Sequence, residues 1–270
     1  MHEFASGGKR NYYGKADVSV YRLQRPRGVF GANVTMVVYG DAFWLTYTRG
    51  DNTTLIATDS MKNFIQWETM NFEGDDLESY CRFLAEKFLT TYPQTEGIQV
   101  SAMEIPYLAM AAGSAALAPA GPDRAMARME MTREGVVESR AGIHGFKLLR
   151  LSGSAFAGFV RDQYTTLPDQ ADRPLHIWLD VEWLAAGGGR LTAQVRETVH
   201  GVFDGFESGS IQQVIHQMGT KILADLPAVE EVRLEANNRT WDTVAERGAE
   251  LGVYTDPRPP YGVLGLTLRR

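Results

Sequence analysis

The chain is poor in the residues that build covalently stapled or metal-held scaffolds. Its single cysteine, Cys81, has no partner in the sequence, so an intrachain disulfide is excluded and a cysteine-rich zinc site cannot form. That usage fits a reducing compartment. Histidine is scarce too. Beyond His2, the imidazoles of His144, His176, His200 and His216 are scattered, with no two on one helical turn as a metal site asks, and they are expected to be structural or exposed. Long apolar runs are also missing: Leu108 to Ala118, the longest, falls well short of the ~20 residues that cross a bilayer. The opening MHEFASGGKR has no apolar signal core, and the final Leu-Arg-Arg is not a Ser-Lys-Leu address, so the cytoplasm is the expected location. Nor is there a basic excess. With 27 basic against 33 acidic side chains the formal charge is -6, which draws the protein to neither nucleic acid nor an anionic membrane and favours a small-molecule partner.

What is present is an ordinary globular composition, 44% hydrophobic and 22% charged over 270 residues, enough for one large or two small domains. Tyr13 to Leu23 and Val34 to Thr48 are rich in β-branched and aromatic types and read as an antiparallel strand pair. Asp59 to Trp67 reads as a short helix with Asp59 as a cap. Asp75 to Thr90 follows as a helix, its apolar residues Leu77, Tyr80, Cys81, Leu84 and Phe88 at helical spacing and its acids at the positive end. Val100 to Tyr107 and Arg124 to Glu134 read as strands around an Ala/Gly/Pro-rich excursion.

The same order then recurs. Phe146 to Leu151 reads as a strand, Ser154 to Tyr164 as a short helix, and Pro174 to Trp183 as a strand with His176, Trp178, Asp180 and Glu182 on one face and Leu175, Ile177, Leu179 and Val181 on the other. Arg190 to Phe206 and Ser210 to Leu223 read as helices, Val229 to Glu235 and Tyr261 to Leu268 as strands. Gly187 to Gly189 and Gly205 to Gly209 lack the strand-to-helix setting of a phosphate loop and read as loops. The expected architecture is α+β, a duplicated ββααββ unit with antiparallel sheets joined near residue 140, giving domains 1–140 and 141–270.

Certain blocks go beyond fold. Tyr13-Gly14-Lys15, Thr48-Arg49-Gly50-Asp51-Asn52-Thr53 and Ala57-Thr58-Asp59-Ser60-Met61-Lys62-Asn63 resemble, in that order, blocks of the uricase (urate oxidase) family. Phe156 to Leu167 with Asp172-Arg173 resembles the substrate-binding segment of those enzymes, and so does Ser210-Ile211-Gln212 at the head of a helix. The resemblance runs from about Tyr13 to Tyr261-Gly262. It implies two tandem T-fold domains, a homotetramer around a tunnel-shaped barrel, active sites shared between subunits, and oxidation of urate by O2 to 5-hydroxyisourate and H2O2 without a cofactor.

The resemblance also assigns roles. Lys15 and Thr58 would form the proton relay, the threonine reaching the site from a neighbouring subunit; a buried amine beside other cations gives up its proton more readily. The fork of Arg173 and the amide of Gln212 would grip one edge of the planar substrate. Phe156 would stack on its face, Ile211 would add an apolar wall and a backbone amide, and the amides around Thr58 and Asp59 would hold the opposite edge. Asn237 matches the asparagine that holds oxygen or water over the ring. Two departures stand out. Arg239 occupies the histidine position of an Asn-x-His motif and, always protonated, can only donate; Pro106 to Ala120 lacks the aromatics and histidine usual there.

Each residue also has a plainer reading. Lys15 alone is a solvated charge, Thr58 a helix cap, Phe156 and Ile211 core, Arg173 a surface partner of Asp172 or Asp169, Gln212 a solvated helix residue, and Asn237 a turn. Three functions stay open on these residues: urate oxidation, the same oxygen chemistry on another purine-like bicycle read by Arg239, and a heterocycle-binding T-fold without turnover. A metal-dependent, pterin-forming T-fold enzyme fits poorly, because Cys and His are too few and too scattered for its zinc.

Overall fold

A computed structural model of the chain describes residues 11–25, 28–185, 191–248 and 250–270. They form two compact units, one up to Ala141 and one from Gly142 onwards.

In the first unit, β1 (Tyr13–Gln24) and β2 (Gly28–Tyr39) pair antiparallel. Next come α1 (Trp44–Arg49), α2 (Thr58–Asn71), α3 (Leu77–Thr91), β3 (Gly97–Glu104), a small hairpin of β4 (Tyr107–Ala109) and β5 (Leu117–Pro119), and β6 (Arg124–Thr132). The main strands lie in the order β1-β2-β3-β6. Alternation buries Val34, Met36 and Val38 of β2 together with Ile98 and Val100 of β3, all at zero exposure, against Ile65, Leu84 and Phe88 of α2 and α3. This apolar burial is the main stabilising term. Asp76 caps α3, its carboxylate accepting from the Ser79 amide at 2.8 Å.

The second unit opens with β7 (Gly135–Arg150), which runs across the unit boundary, and continues with β8 (Leu175–Ala185), α4 (Thr192–Gly205), α5 (Ile211–Asp225), β9 (Val229–Asn238), a hairpin of β10 (Thr243–Arg247) and β11 (Leu251–Tyr254), and β12 (Gly262–Arg269). The main order is β7-β8-β9-β12. β8 alternates as expected: Leu175, Ile177, Leu179, Val181 and Trp183 are buried, while His176, Trp178, Asp180 and Glu182 lie on the other face. Gly219 of α5 permits close helix–sheet approach, since a Cβ there would meet Leu268 Cδ1 at 2.9 Å and Leu234 Cδ1 at 3.0 Å. The architecture is α+β with antiparallel pairing.

Several expectations need correction. The strand read over Val34 to Thr48 stops at Tyr39; Thr48 bonds back to the Trp44 carbonyl at 3.1 Å, and Gly50, at φ 68, closes a helical turn in the left-handed conformation. Ser154 to Tyr164 is not a helix. Its amides bond across the chain instead: Asp172 takes those of Gly153 and Ser154, Asp169 takes that of Gly158, and Phe156 exchanges both backbone bonds with Gln170. No element is expected from the residues where the β10–β11 hairpin forms. The glycines 187–189, read as a loop, lie outside the described residues, as does Arg190, the expected start of α4.

Candidate active site

In the first unit the site grows from one phenol. The Tyr13 hydroxyl accepts from the Ile56 amide at 3.0 Å, tying β1 to the segment that leads into α2, and its ring packs edge-on to Phe43 at 5.0 Å. Burial pushes this phenol up to about 12, so it stays a neutral tie. Two residues beyond each end of the tie stand Lys15 and Thr58. A bulge between Lys15 and Val18, with Asp17 at φ 58, re-aims β1 at this point. Lys15 is half-buried and close enough to Asp59 for its charge to help hold that carboxyl low, after the hydrogen bond and charge of Lys62 at 2.5 Å.

Thr58 is not a cap. It is the first residue of α2, and Ala57 holds the cap position with no side-chain bond. Among the described residues nothing engages the Thr58 hydroxyl, and the first-turn amides of Thr58, Asp59 and Ser60 have no intrahelical acceptor. An uncapped helix start with free amides, a free hydroxyl and a neighbouring amine suits an electron-rich ligand edge.

In the second unit three segments are knitted together. Ser154 pairs with Ser208, Phe156 with Gln170, and the Arg173 amide donates to the Ser154 carbonyl at 2.8 Å. The Arg173 guanidinium lies 5.8 Å from the Phe156 ring, and Phe156 stacks on Phe159 at 4.9 Å and 13°. The plain reading of Arg173 as an ion-pair partner does not hold: Asp169 pairs with Arg161 at 3.0 Å, and Asp172 serves backbone amides. Arg173 Nε is buried without a partner, and burial alone pulls the guanidinium down from its usual value.

Ser208 leads to α5, whose start is locked from both sides. Ser210 accepts from the Gln213 amide at 3.2 Å, and the Gln213 side chain reaches back to the Gly209 amide at 2.8 Å. Gln212 is thereby presented to solvent, whereas the Ile211 side chain, 4% exposed, belongs to the core and leaves only its amide for a ligand.

Asn237 and Arg239 stand together at the end of β9. Asn237 is a cross-strand neighbour of Trp178 and Val263, so it is a strand residue and not a turn. Arg239 is 8% exposed, its guanidinium sandwiched 3.6 Å from the Trp178 ring and 3.4 Å from that of Tyr261, with Nη2 reaching Asn237 Oδ1 at 3.5 Å. Lys147 covers Trp178 as well, at 4.6 Å. His176, whose carbonyl accepts the Arg239 amide, is held below its usual value by burial and then by the charges of Arg239 and Lys147.

The structure therefore brings together Lys15 with Asp59 beside Thr58, Phe156 with Arg173, and Asn237 with Arg239; Gln212 is tied to the Arg173 segment through the Ser154–Ser208 pair, and the Ile211 side chain lies in the core. The residues alone do not single out Tyr13, Trp178 and Tyr261, because their partners Ile56 and Arg239 are distant in sequence and meet them only in the folded chain. Among the described residues no group of three or more His, Cys, Asp or Glu is placed to hold a metal. No described helix is long and apolar enough to cross a membrane.

The fold defines a duplicated α+β protein with antiparallel pairing. The model of the Uricase family matches residues 11–134 and 139–264, and the chain belongs to that family. It is 33% identical to a uricase of Haloferax volcanii over 96% of this chain and 97% of that one. It is 35% identical to the "Uric acid degradation bifunctional protein PucL" of Bacillus subtilis, covering 96% of this chain but 60% of the relative. The chain likewise spans 58% of a bifunctional relative from Bacillus sp. TB-90. A crystal structure of urate oxidase from Bacillus sp. TB-90 superimposes with a TM-score of 0.89 at 33% identity, covering 97% of this chain and all of that one. A uricase from Bacillus fastidious gives 0.88 at 33% identity, covering 97% and 94%.

Proposed function

We propose that the protein oxidises urate with O2 and water to 5-hydroxyisourate and H2O2, without a metal or organic cofactor. The balance closes: urate gives up two electrons and two protons to O2, and the oxygen of water becomes the new hydroxyl. The protein's share is deprotonation, orientation and exclusion of water. Lys15 and Thr58 take and pass the protons, and the free amides at the head of α2 hold one edge of the ring. Arg173 and Gln212 grip the other edge, Phe156 covers a face, and Asn237 faces the oxygen. Each unit is read as one T-fold copy, and the first unit of one subunit meets the second unit of another in a homotetramer around a tunnel, in the cytoplasm.

The observation that carries this reading is the Tyr13–Ile56 tie, which sets Lys15 beside an uncapped α2 in a chain whose two halves both match the family. In air, purified protein should deplete the near-ultraviolet absorption of urate and release one H2O2 per urate. Turnover no greater than that of Lys15→Ala would remove the proposal.

Arg239 favours a second reading, the same chemistry on another purine-like bicycle. A guanidinium clamped between two rings cannot shuttle a proton as histidine does. Under that reading Arg239→His raises urate turnover; under the first it lowers or preserves it.

A further inference from the structure

Five acceptors of the second unit, on the segments Gly153–Ser154 and Phe203–Ser208, converge on one guanidinium that the reaction itself does not use. Arg150, the last residue of β7, donates through Nη1 to the carbonyls of Phe203, at 3.0 Å, and Phe206, where α4 ends. Through Nη2 it donates to the Gly153 carbonyl at 2.9 Å, the Ser154 hydroxyl at 2.7 Å and the Ser208 hydroxyl at 3.0 Å. Its plane also lies over the Phe203 ring at 5.4 Å. Satisfying the end of α4 needs only the first two bonds. Of the other three, two reach Ser154 and Ser208, the pair that sets the spacing of the ligand-facing groups, and one reaches the neighbouring Gly153 carbonyl.

Ser154 accepts the Arg173 amide through its carbonyl while its hydroxyl is held by Arg150. Ser208 gives its carbonyl to Ala155 at 2.7 Å and its amide to Gly153 at 3.0 Å, and it stands two residues before the Ser210 cap that launches Ile211 and Gln212. Asp172 locks the same corner by collecting the amides of Gly153 and Ser154. The distance between Arg173 and Gln212 is therefore transmitted through the Ser154–Ser208 pair, and Arg150 bonds both hydroxyls at once. A planar fork whose two terminal nitrogens face different ways spans these acceptors, Nη1 toward α4 and Nη2 toward Gly153, Ser154 and Ser208; an ammonium, whose donors leave a single point, does not.

We propose that Arg150 is a positioning residue for the urate grip, holding Arg173 and Gln212 at the separation that a planar heterocycle requires. This rests on the reading of Arg173 and Gln212 as the gripping pair. Since the proton relay belongs to other residues, a loosened grip weakens binding more than chemistry, and small misplacements are costly.

The test compares Arg150→Lys, Arg150→Ala and the double variant Ser154→Ala/Ser208→Ala for urate KM, kcat, anaerobic urate affinity and thermal midpoint. The expected result is a KM raised by ~10-fold or more in both Arg150 variants with kcat lowered by less than ~3-fold. Added methylguanidinium should restore the KM of Arg150→Ala, which a merely structural loss would not allow. The double variant keeps Arg150 and its bonds to α4, so it should fold even if the Arg150 variants do not, and its KM should rise in the same way. Unchanged KM in the double variant, or in a folded Arg150→Lys, overturns the proposal. Arg173→Met separates the two layers: if it leaves urate affinity intact, the grip itself is misassigned, whereas if it abolishes affinity while the Arg150 and serine variants bind normally, only the role of Arg150 fails.

Discussion

Replacing Arg173 with methionine should move stability and binding in opposite directions. Among the described residues the Arg173 guanidinium has no carboxylate partner, its Nε is buried without a hydrogen-bond partner, and its aromatic neighbour is Phe156 at 5.8 Å. Losing that contact costs about 0.5–1 kcal/mol. Removing a desolvated cation returns more: full burial costs several kcal/mol, and partial solvent contact at this half-buried side chain reduces it to roughly 1–2 kcal/mol. Methionine keeps a similar apolar stem, so the net change in stability runs from zero to a gain of about 1.5 kcal/mol, a rise of up to ~6 °C for a chain of this size. Binding goes the other way. Two charge-assisted bonds to a lactam edge are worth about 1.5–3 kcal/mol each, so their loss weakens urate binding by roughly 10²- to 10⁴-fold. Calorimetric melting beside anaerobic urate titration reads both quantities. A melting point several degrees lower with affinity retained would show that Arg173 is a structural residue and would refute the reasoning.

Lys15→Ala should lower kcat by about 10²–10⁴, the usual weight of a positioned proton acceptor, with anaerobic urate binding less affected. Arg239→Met loses two ring contacts worth up to ~2 kcal/mol each in a desolvated site, partly offset by relief of the buried charge; a lower thermal midpoint and altered Trp178 fluorescence check it. His144 is held above its usual value of 6.5 by its hydrogen bond to Glu182, 3.0 Å away, against a smaller opposing effect of burial. Its contribution to stability is thus full below the unfolded value and fades as pH rises through the folded one, and His144→Gln should flatten the melting-point profile above about pH 6.5. Asp76→Ala removes the cap of α3 and should cost about 1 kcal/mol in denaturant unfolding.

The amphipathic elements were legible in the residues because burial imposes a period. β8 shows it best, its alternate residues falling inside and outside as read. α3 and α5 were placed to within a few residues by Asp76 and Ser210, whose side chains cap them. The segment around Phe156 misled because its spacing resembles a helix, while the acceptors that hold it open, Asp169, Gln170 and Asp172, lie more than ten residues away along the chain. The site was legible as blocks and not as contacts. Lys15 and Thr58 were named from their motifs, but the phenol that unites them is visible only in three dimensions. The Arg239 sandwich was hidden for the same reason, since Trp178 and Tyr261 come from β8 and the approach to β12.

In the proposed assembly the relay of one chain serves the grip of another. Mixing Lys15→Ala and Arg173→Met, each inactive alone, after joint unfolding and refolding should restore urate oxidation to about a quarter of the wild-type rate per site, because random assembly pairs an intact relay with an intact grip that often. A mixture as inactive as its components, in assemblies proven to contain both chains, would contradict it.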